Sequence, residues 1–169
     1  MRRGDNVIYH MKQKVFSLGE KYSVFDDIGN LAFYAEGEFL SLKNKVHVYD
    51  RNKHEIAFIK KELLSFLPTY YADIFNFGII TIKKKFTLFT IKLTVEEMGL
   101  VLEGDFTSHN FTLKKDEREI MTVKKGWFTW GDSYDINIKD EQYTILCICV
   151  LLAVDLIIAD TNAASNSAN

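Results

Sequence analysis

The sequence predicts a mostly β fold: a closed antiparallel barrel of about twelve strands, built from two similar halves around a central hydrophobic C-terminal helix. Three observations carry this expectation. A pattern of short strands occurs twice, turn signals recur at short spacing over residues 12–139, and the one long apolar segment comes after both copies.

The first copy reads Glu36-Gly37-Glu38-Phe39, then Val48-Tyr49-Asp50, then Glu55-Ile56-Ala57-Phe58-Ile59-Lys60-Lys61. The second reads Glu103-Gly104-Asp105-Phe106, then Leu113-Lys114-Lys115-Asp116, then Glu119-Ile120-Met121-Thr122-Val123-Lys124-Lys125. The offset is 67 residues at Glu36 and Glu103 and 64 at Glu55 and Glu119, so the copies differ by small loop changes. Within the strands the side-chain period is two. Tyr134, Ile136 and Ile138 alternate with Asp135, Asn137 and Lys139, and Val46 and Val48 with His47 and Tyr49, as half-buried strands do. Gly, Asn and Asp clusters at 26–30, 50–53, 77–78, 108–110, 116–118 and 131–132 supply the turns. The segment 63–67 before Pro68 reads as strand or loop. Many short antiparallel strands need their edges protected, and closure into a barrel does that.

Residues 140–160 break the pattern. Ile145 to Val154 is an unbroken apolar run, followed by Asp155 and then Leu156-Ile157-Ile158-Ala159. A helix apolar on every side must be buried in protein or in lipid. The segment is short for a bilayer span, and a carboxylate within hydrocarbon costs about 2.5–3.5 kcal/mol. A wide barrel would be hollow without a filling, so a central plug satisfies both elements. Asp140-Glu141 opens the helix, where the dipole favours carboxylates. The domain plan is an N-terminal extension over 1–10, with Met11 an alternative start, one barrel domain over 11–160, and a small polar disordered tail over 161–169.

Composition sets further bounds. The chain has 169 residues, enough for one domain with a real core, and a net charge of −2. With only four arginines and a negative balance, nucleic acid is excluded as a partner class. No signal-peptide stretch opens the chain, so secretion is not expected. Cys147 and Cys149 read as small buried hydrophobes, since a spacing of two places them on nearly opposite helix faces.

At this point several segments match a known family in order: Lys12 to Gly19, Phe66-Leu67-Pro68-Thr69-Tyr70, Val95-Glu96 before Glu103-Gly104-Asp105-Phe106, Gly126 to Tyr134, and Leu151-Leu152-Ala153-Val154-Asp155. Over roughly residues 11–160 the chain resembles the LURP-one-related (LOR, YxjI-like) family of the tubby C-terminal-like superfamily. The resemblance implies a twelve-stranded barrel around a hydrophobic C-terminal helix and makes Asp155 part of the family pattern. Superfamily relatives include phosphoinositide-binding tubby proteins and phospholipid scramblases, but the family lends no biochemical activity of its own. This chain lacks the calcium segment, cysteine cluster and proline-rich N-terminus ascribed to scramblases.

No residue constellation points to catalysis. His10, His47, His54 and His109 lie in separate strands or turns, away from metal-ligand spacing. Nucleophile-elbow, dinucleotide and P-loop motifs are absent. No cofactor and no metal are expected. Asp155 is the odd polar residue, read as a buried carboxylate bonded to the barrel wall or as one near the helix end that reaches water, with a ligand contact at the barrel mouth as the alternative. Lysine clusters are the best functional lead: Lys83-Lys84-Lys85 after an apolar strand, and Lys60-Lys61 and Lys124-Lys125 at equivalent places in the repeats. Gathered on one rim they would attract anionic headgroups at about 1 kcal/mol each. As solvated strand ends or edge guards they would do nothing of the kind, and alternation sends neighbouring lysines to opposite faces. Trp127, Phe128 and Trp130 pack the barrel end or enter an interface.

The expectation is therefore a non-enzymatic, cytoplasmic binding or scaffold module, a monomer, peripheral at the membrane where its lysine rim meets anionic phospholipid; an unidentified protein is the other partner class. A membrane-anchored, scramblase-like protein using the C-terminal helix is the alternative. Lysine over arginine, with abundant Ile, Asn, Phe and Tyr, is the composition of an AT-rich bacterial genome, for which generic anionic lipid is a better candidate than phosphoinositide.

Overall fold

Alternation along the strands sorts the side chains before any tertiary contact is considered. In the computed structural model, which describes residues 6–16, 19–38, 45–87, 90–105, 108–126 and 133–167, it does so in twelve strands. They are β1 (Val7–Phe16), β2 (Gly19–Asp26), β3 (Leu31–Gly37), β4 (Lys45–Asp50), β5 (Glu55–Lys61), β6 (Thr69–Ile74), β7 (Gly78–Lys84), β8 (Ile91–Val95), β9 (Leu100–Asp105), β10 (Asn110–Lys115), β11 (Arg118–Lys125) and β12 (Ser133–Ile138). Each pairs antiparallel with its sequence neighbours, and β1 pairs with β12, so the sheet closes and leaves no edge. A helix, α1 (Thr144–Ser167), follows β12.

The helix fills the lumen. Every residue from Leu146 to Ile158 is buried, whichever way it faces. Around it stand the inward residues of the strands, among them Val46 and Val48, Ile80 and Ile82, Leu100 and Leu102, and Tyr134, Ile136 and Ile138. The helix lies closest to β5 and β6, whose inward Ala57 and Ala72 leave room for it. The chain enters α1 through a single 3-10 turn at Glu141–Tyr143, where the Asp140 carboxylate accepts from the Gln142 N–H at 3.3 Å.

The two sequence repeats are the three-stranded meanders β3–β4–β5 and β9–β10–β11. In the closed order they stand six strands apart, on opposite sides of the barrel. The glycine of the second copy has a packing reason. A Cβ on Gly104 would lie 2.2 Å from the Asn110 carbonyl oxygen and 2.5 Å from the Phe111 ring.

Two boundaries differ from expectation. β1 begins at Val7, so residues 7–10, expected as extension, are strand. Val7 and Ile8 already pair with Ile138 and Asn137 of β12, which supplies the ladder that an isolated terminus lacks. At the other end α1 continues to Ser167 through most of the segment expected to be disordered. Neither glycine nor proline stops it, and extending a formed helix takes far less free energy than starting one.

Candidate functional site: a lysine-bearing rim above a buried carboxylate

Antiparallel order decides which loops share an end of the barrel. One end gathers the β1–β2, β3–β4, β5–β6, β7–β8, β9–β10 and β11–β12 connections. It is also where α1 emerges, because the helix enters from the end of β12 at the opposite rim. All seven lysines singled out in the sequence stand at this end: Lys60 and Lys61 close β5, Lys83 and Lys84 close β7 with Lys85 next, and Lys124 and Lys125 close β11. The structure brings them together only in part. β5 and β7 are separated by one strand, whereas β11 is on the far side from β5. The basic arc therefore runs from Lys45 on β4 through Lys60, Lys61, Lys83 and Lys84 to Lys92 on β8, with Lys124 and Lys125 outside it.

Within the arc the lysines are not equivalent. Lys61 is in the inward phase of β5 and pairs with Asp160 of α1 at 2.5 Å, a bond that ties the helix to the wall. Tyr70 on β6 donates to the same carboxylate oxygen at 3.5 Å. Lys85 is turned to Glu96 at 2.6 Å, and this bond with its charge holds the Glu96 carboxyl below the usual range. Lys45 and Lys92 are bound to Glu38 and Glu103 at 3.0 and 2.6 Å. Lys60 and Lys83 are in the outward phase and exposed, with no ion pair among the described residues.

Beside these two lysines the rim carries apolar side chains that the core does not use. Leu64 and Phe66 of the β5–β6 loop are 98% exposed, Leu63 is 70% exposed, and Phe86 of the β7–β8 loop is 75% exposed. The foot of the β5–β6 loop is held to the end of β7 where the Lys84 N–H donates to the Pro68 carbonyl at 2.9 Å. The sequence did carry a signal for these residues: an apolar run with no alternation, between Lys61 and Pro68, where a turn-rich loop needs none. Trp127, Phe128 and Trp130 lie outside the described residues.

Asp155 is 4% exposed and its carboxylate is spanned by two walls. Tyr22 of β2 donates to Oδ2 at 2.8 Å and Tyr134 of β12 to Oδ1 at 2.5 Å. Gln13 of β1 donates in turn to the Tyr22 hydroxyl at 3.3 Å. The residue is thus bonded to barrel-wall groups, as expected, and fixes the rotation and depth of α1 in the lumen. The tyrosines were not foreseen. Inward phase marks them as core, and nothing local says that their hydroxyls converge on one carboxylate.

Of the histidines only His54 is fully at the surface; His10 and His47 are half-buried, and half-buried His109 stacks on the Tyr134 ring at 6.0 Å. His10 is 2.8 Å from Asp135, His54 is 3.2 Å from Asp50, and His47 lies between Glu38 and Glu55. Among the described residues no three His, Cys, Asp or Glu side chains are placed to hold a metal. Burial pushes the thiols of Cys147 and Cys149 up, the latter to about 12, so neither is a nucleophile at neutral pH. An outer-wall depression between Glu55, Phe58, Asp73 and Phe75 holds 220 Å³ and is wide open, below the roughly 300–1,000 Å³ typical of small-molecule sites.

A closed antiparallel barrel filled by its own apolar helix, with no catalytic or metal-binding cluster among the described residues, fits a binding or scaffold module. The chain belongs to the LURP-one-related family, whose profile matches residues 7–155. It is 29% identical over 148 residues to the uncharacterized protein YxjI of Bacillus subtilis (strain 168), covering 88% of this chain and 91% of that one. The crystal structure of an Arabidopsis thaliana protein shares the fold, with a TM-score of 0.62 over 95% of this chain and 93% of that one at 10% identity.

Proposed function

We propose that the barrel is a non-enzymatic module that docks on anionic phospholipid at the cytoplasmic membrane surface through the basic arc of its helix-exit rim. The observation that supports this is the convergence of Lys60, Lys61, Lys83 and Lys84 at one end of adjacent hairpins, on strands separated by β6. Lys60 and Lys83 carry most of the attraction, because their ammonium groups face solvent with no ion pair among the described residues. Lys61 and Lys85 contribute less, being neutralised by Asp160 and Glu96. Lys124 and Lys125 face a different quadrant of the same rim. The opposite rim bears Asp26, Asp27, Asp50, Asp73, Asp116 and Asp140 at its turns and strand ends, against the cations Arg51, Lys53, Arg118 and Lys139, so the module has an orientation in the field of an anionic surface.

Use of α1 as a membrane anchor is disfavoured. The span Glu141–Thr161 is long and apolar enough to cross a bilayer, but 78% of its apolar window is already buried inside the barrel. Its withdrawal would empty the core and break the Asp155 bonds to Tyr22 and Tyr134.

The test is co-sedimentation with vesicles of phosphatidylcholine alone and of equal parts phosphatidylcholine and phosphatidylglycerol, at low and high salt. Binding to the anionic vesicles alone, lost at high salt, is expected. Lys60→Gln with Lys83→Gln should lower it about twenty-five-fold, at about 1 kcal/mol per lysine. Absence of binding to either vesicle overturns the proposal in favour of a protein partner. Salt-resistant binding to both would point to an inserted helix.

A further inference from the structure

We propose that Leu64, Phe66 and Phe86 form an apolar wedge that enters the interfacial layer of the anionic bilayer on which the lysine rim docks. This rests on the lipid reading above and adds what the lysines do not: a reason for large apolar side chains at the tips of two loops.

Exposure is the first ground. Leu64 and Phe66 are 98% exposed and Phe86 75%. None of the three packs on the hydrophobic cluster that fills the barrel. Single exposed hydrophobes are ordinary on a soluble surface, but neighbouring loop tips that share a rim need an occupant. The second ground is rigidity. The Lys84 N–H to Pro68 carbonyl bond extends the β6–β7 ladder and holds the foot of the first loop to the end of β7, from which the second loop leaves, and Pro68 itself limits the backbone there. A wedge fixed in this way loses little freedom on insertion.

Charge chooses the occupant. The apolar tips stand beside Lys60, Lys83 and Lys84. That is the pattern of an interfacial anchor, cations at the headgroups and apolar groups just beneath them. A second copy meeting this face through a two-fold axis would set Lys60 and Lys83 against their own equivalents. The exposed apolar residues of the other rim have the opposite company: Ile28 is 79% exposed next to Asp26 and Asp27, and Phe75 is 72% exposed next to Asp73. An anionic surface repels that end.

The chain offers a clean way to test this. Cys147 and Cys149 are buried, and their raised thiols do not label at neutral pH. A single thiol introduced by Phe66→Cys, or at the opposite rim by Ile28→Cys, therefore takes an environment-sensitive nitrobenzoxadiazole label alone. With equal-part phosphatidylcholine and phosphatidylglycerol vesicles, label at position 66 should shift to the blue and be quenched by nitroxides on the acyl chains. Label at 28 should do neither. Phe66→Ser and Leu64→Ser in unlabelled protein should each weaken vesicle binding about tenfold, with unchanged circular dichroism because the parent side chains touch no core.

The two readings fail differently. Protein that sediments with anionic vesicles while label 66 stays unshifted overturns the wedge and leaves the lysine dock standing. No sedimentation and no shift overturns both. A blue shift at 66 that rises with protein concentration in the absence of vesicles means that a second copy covers the tips, and equal quenching at 66 and 28 means that the membrane is met without orientation. Either result overturns the wedge.

Discussion

Replacing Asp155 with leucine tests whether the carboxylate locks the helix into the barrel. Leucine keeps the branching of aspartate but puts bulkier methyls where the oxygens stood, so the perturbation is chemical and partly steric, and a phenylalanine background at Tyr22 and Tyr134 separates the two. It leaves the hydroxyl hydrogens of Tyr22 and Tyr134, which are 2.8 and 2.5 Å from the carboxylate oxygens, without their acceptor. Gln13 still donates to the Tyr22 oxygen, but a second donor cannot take up the orphaned hydrogen. Each buried donor left unmet costs about 1–3 kcal/mol, so the two together cost about 2–6 kcal/mol. Burial of the leucine and removal of a desolvated carboxylate return part of that. The expected net loss is about 1–3 kcal/mol. At a slope of about 2 kcal/mol per molar urea, a 2 kcal/mol loss moves the unfolding midpoint down by about 1 M. The assay is urea unfolding followed by far-ultraviolet circular dichroism, for Asp155→Leu, for Tyr22→Phe with Tyr134→Phe, and for the triple variant. If the hydrogen bonds are the cause, Asp155→Leu costs little when added to the double phenylalanine variant, because both sides of each bond are then apolar and the loss of the Gln13 acceptor is common to both variants. An unchanged or raised midpoint for Asp155→Leu would refute the lock. So would the same drop in the phenylalanine background, which would assign the loss to packing alone.

Two further outcomes follow from packing. Gly104→Ala should destabilise the barrel by about 1–3 kcal/mol in the same urea assay, because the added methyl meets the Asn110 carbonyl, which is backbone and cannot swing aside. Cys147 and Cys149 should be silent to a disulfide reagent such as DTNB at pH 8 in the native protein and react together on unfolding. Burial keeps both thiols protonated there, and reaction of either in the native state would show that α1 leaves the lumen.

Much of the architecture could be read from local pattern. Period two in 46–49 and 134–139 told which side chains face inward, and Val46, Val48, Tyr134, Ile136 and Ile138 are indeed buried. An apolar run with no polar face, ending in one aspartate, told that a helix needed a full wall around it. The repeat at 36–61 and 103–125 told that the wall had related halves. Boundaries were harder: residues 7–10 join β1 only because β12, at the other end of the chain, pairs with them. The rim was legible in its residue types but not in its membership. Lys60 and Lys124 occupy equal places in the repeats, yet stand on opposite sides of the barrel.

Periodicity is a property of neighbouring residues, and so the sequence by itself determined the strands, the inward faces and the burial of α1. Convergence is a property of the closed sheet. Only closure in antiparallel order around the helix set Tyr22 and Tyr134 against Asp155 and drew Lys61 to Asp160, and only the pairing of β5 to β8 put the Leu64–Phe66 loop on the same rim as Phe86. Those meetings depend on strand order and helix depth, which no local stretch of chain encodes and which the packing of the whole barrel fixes at once.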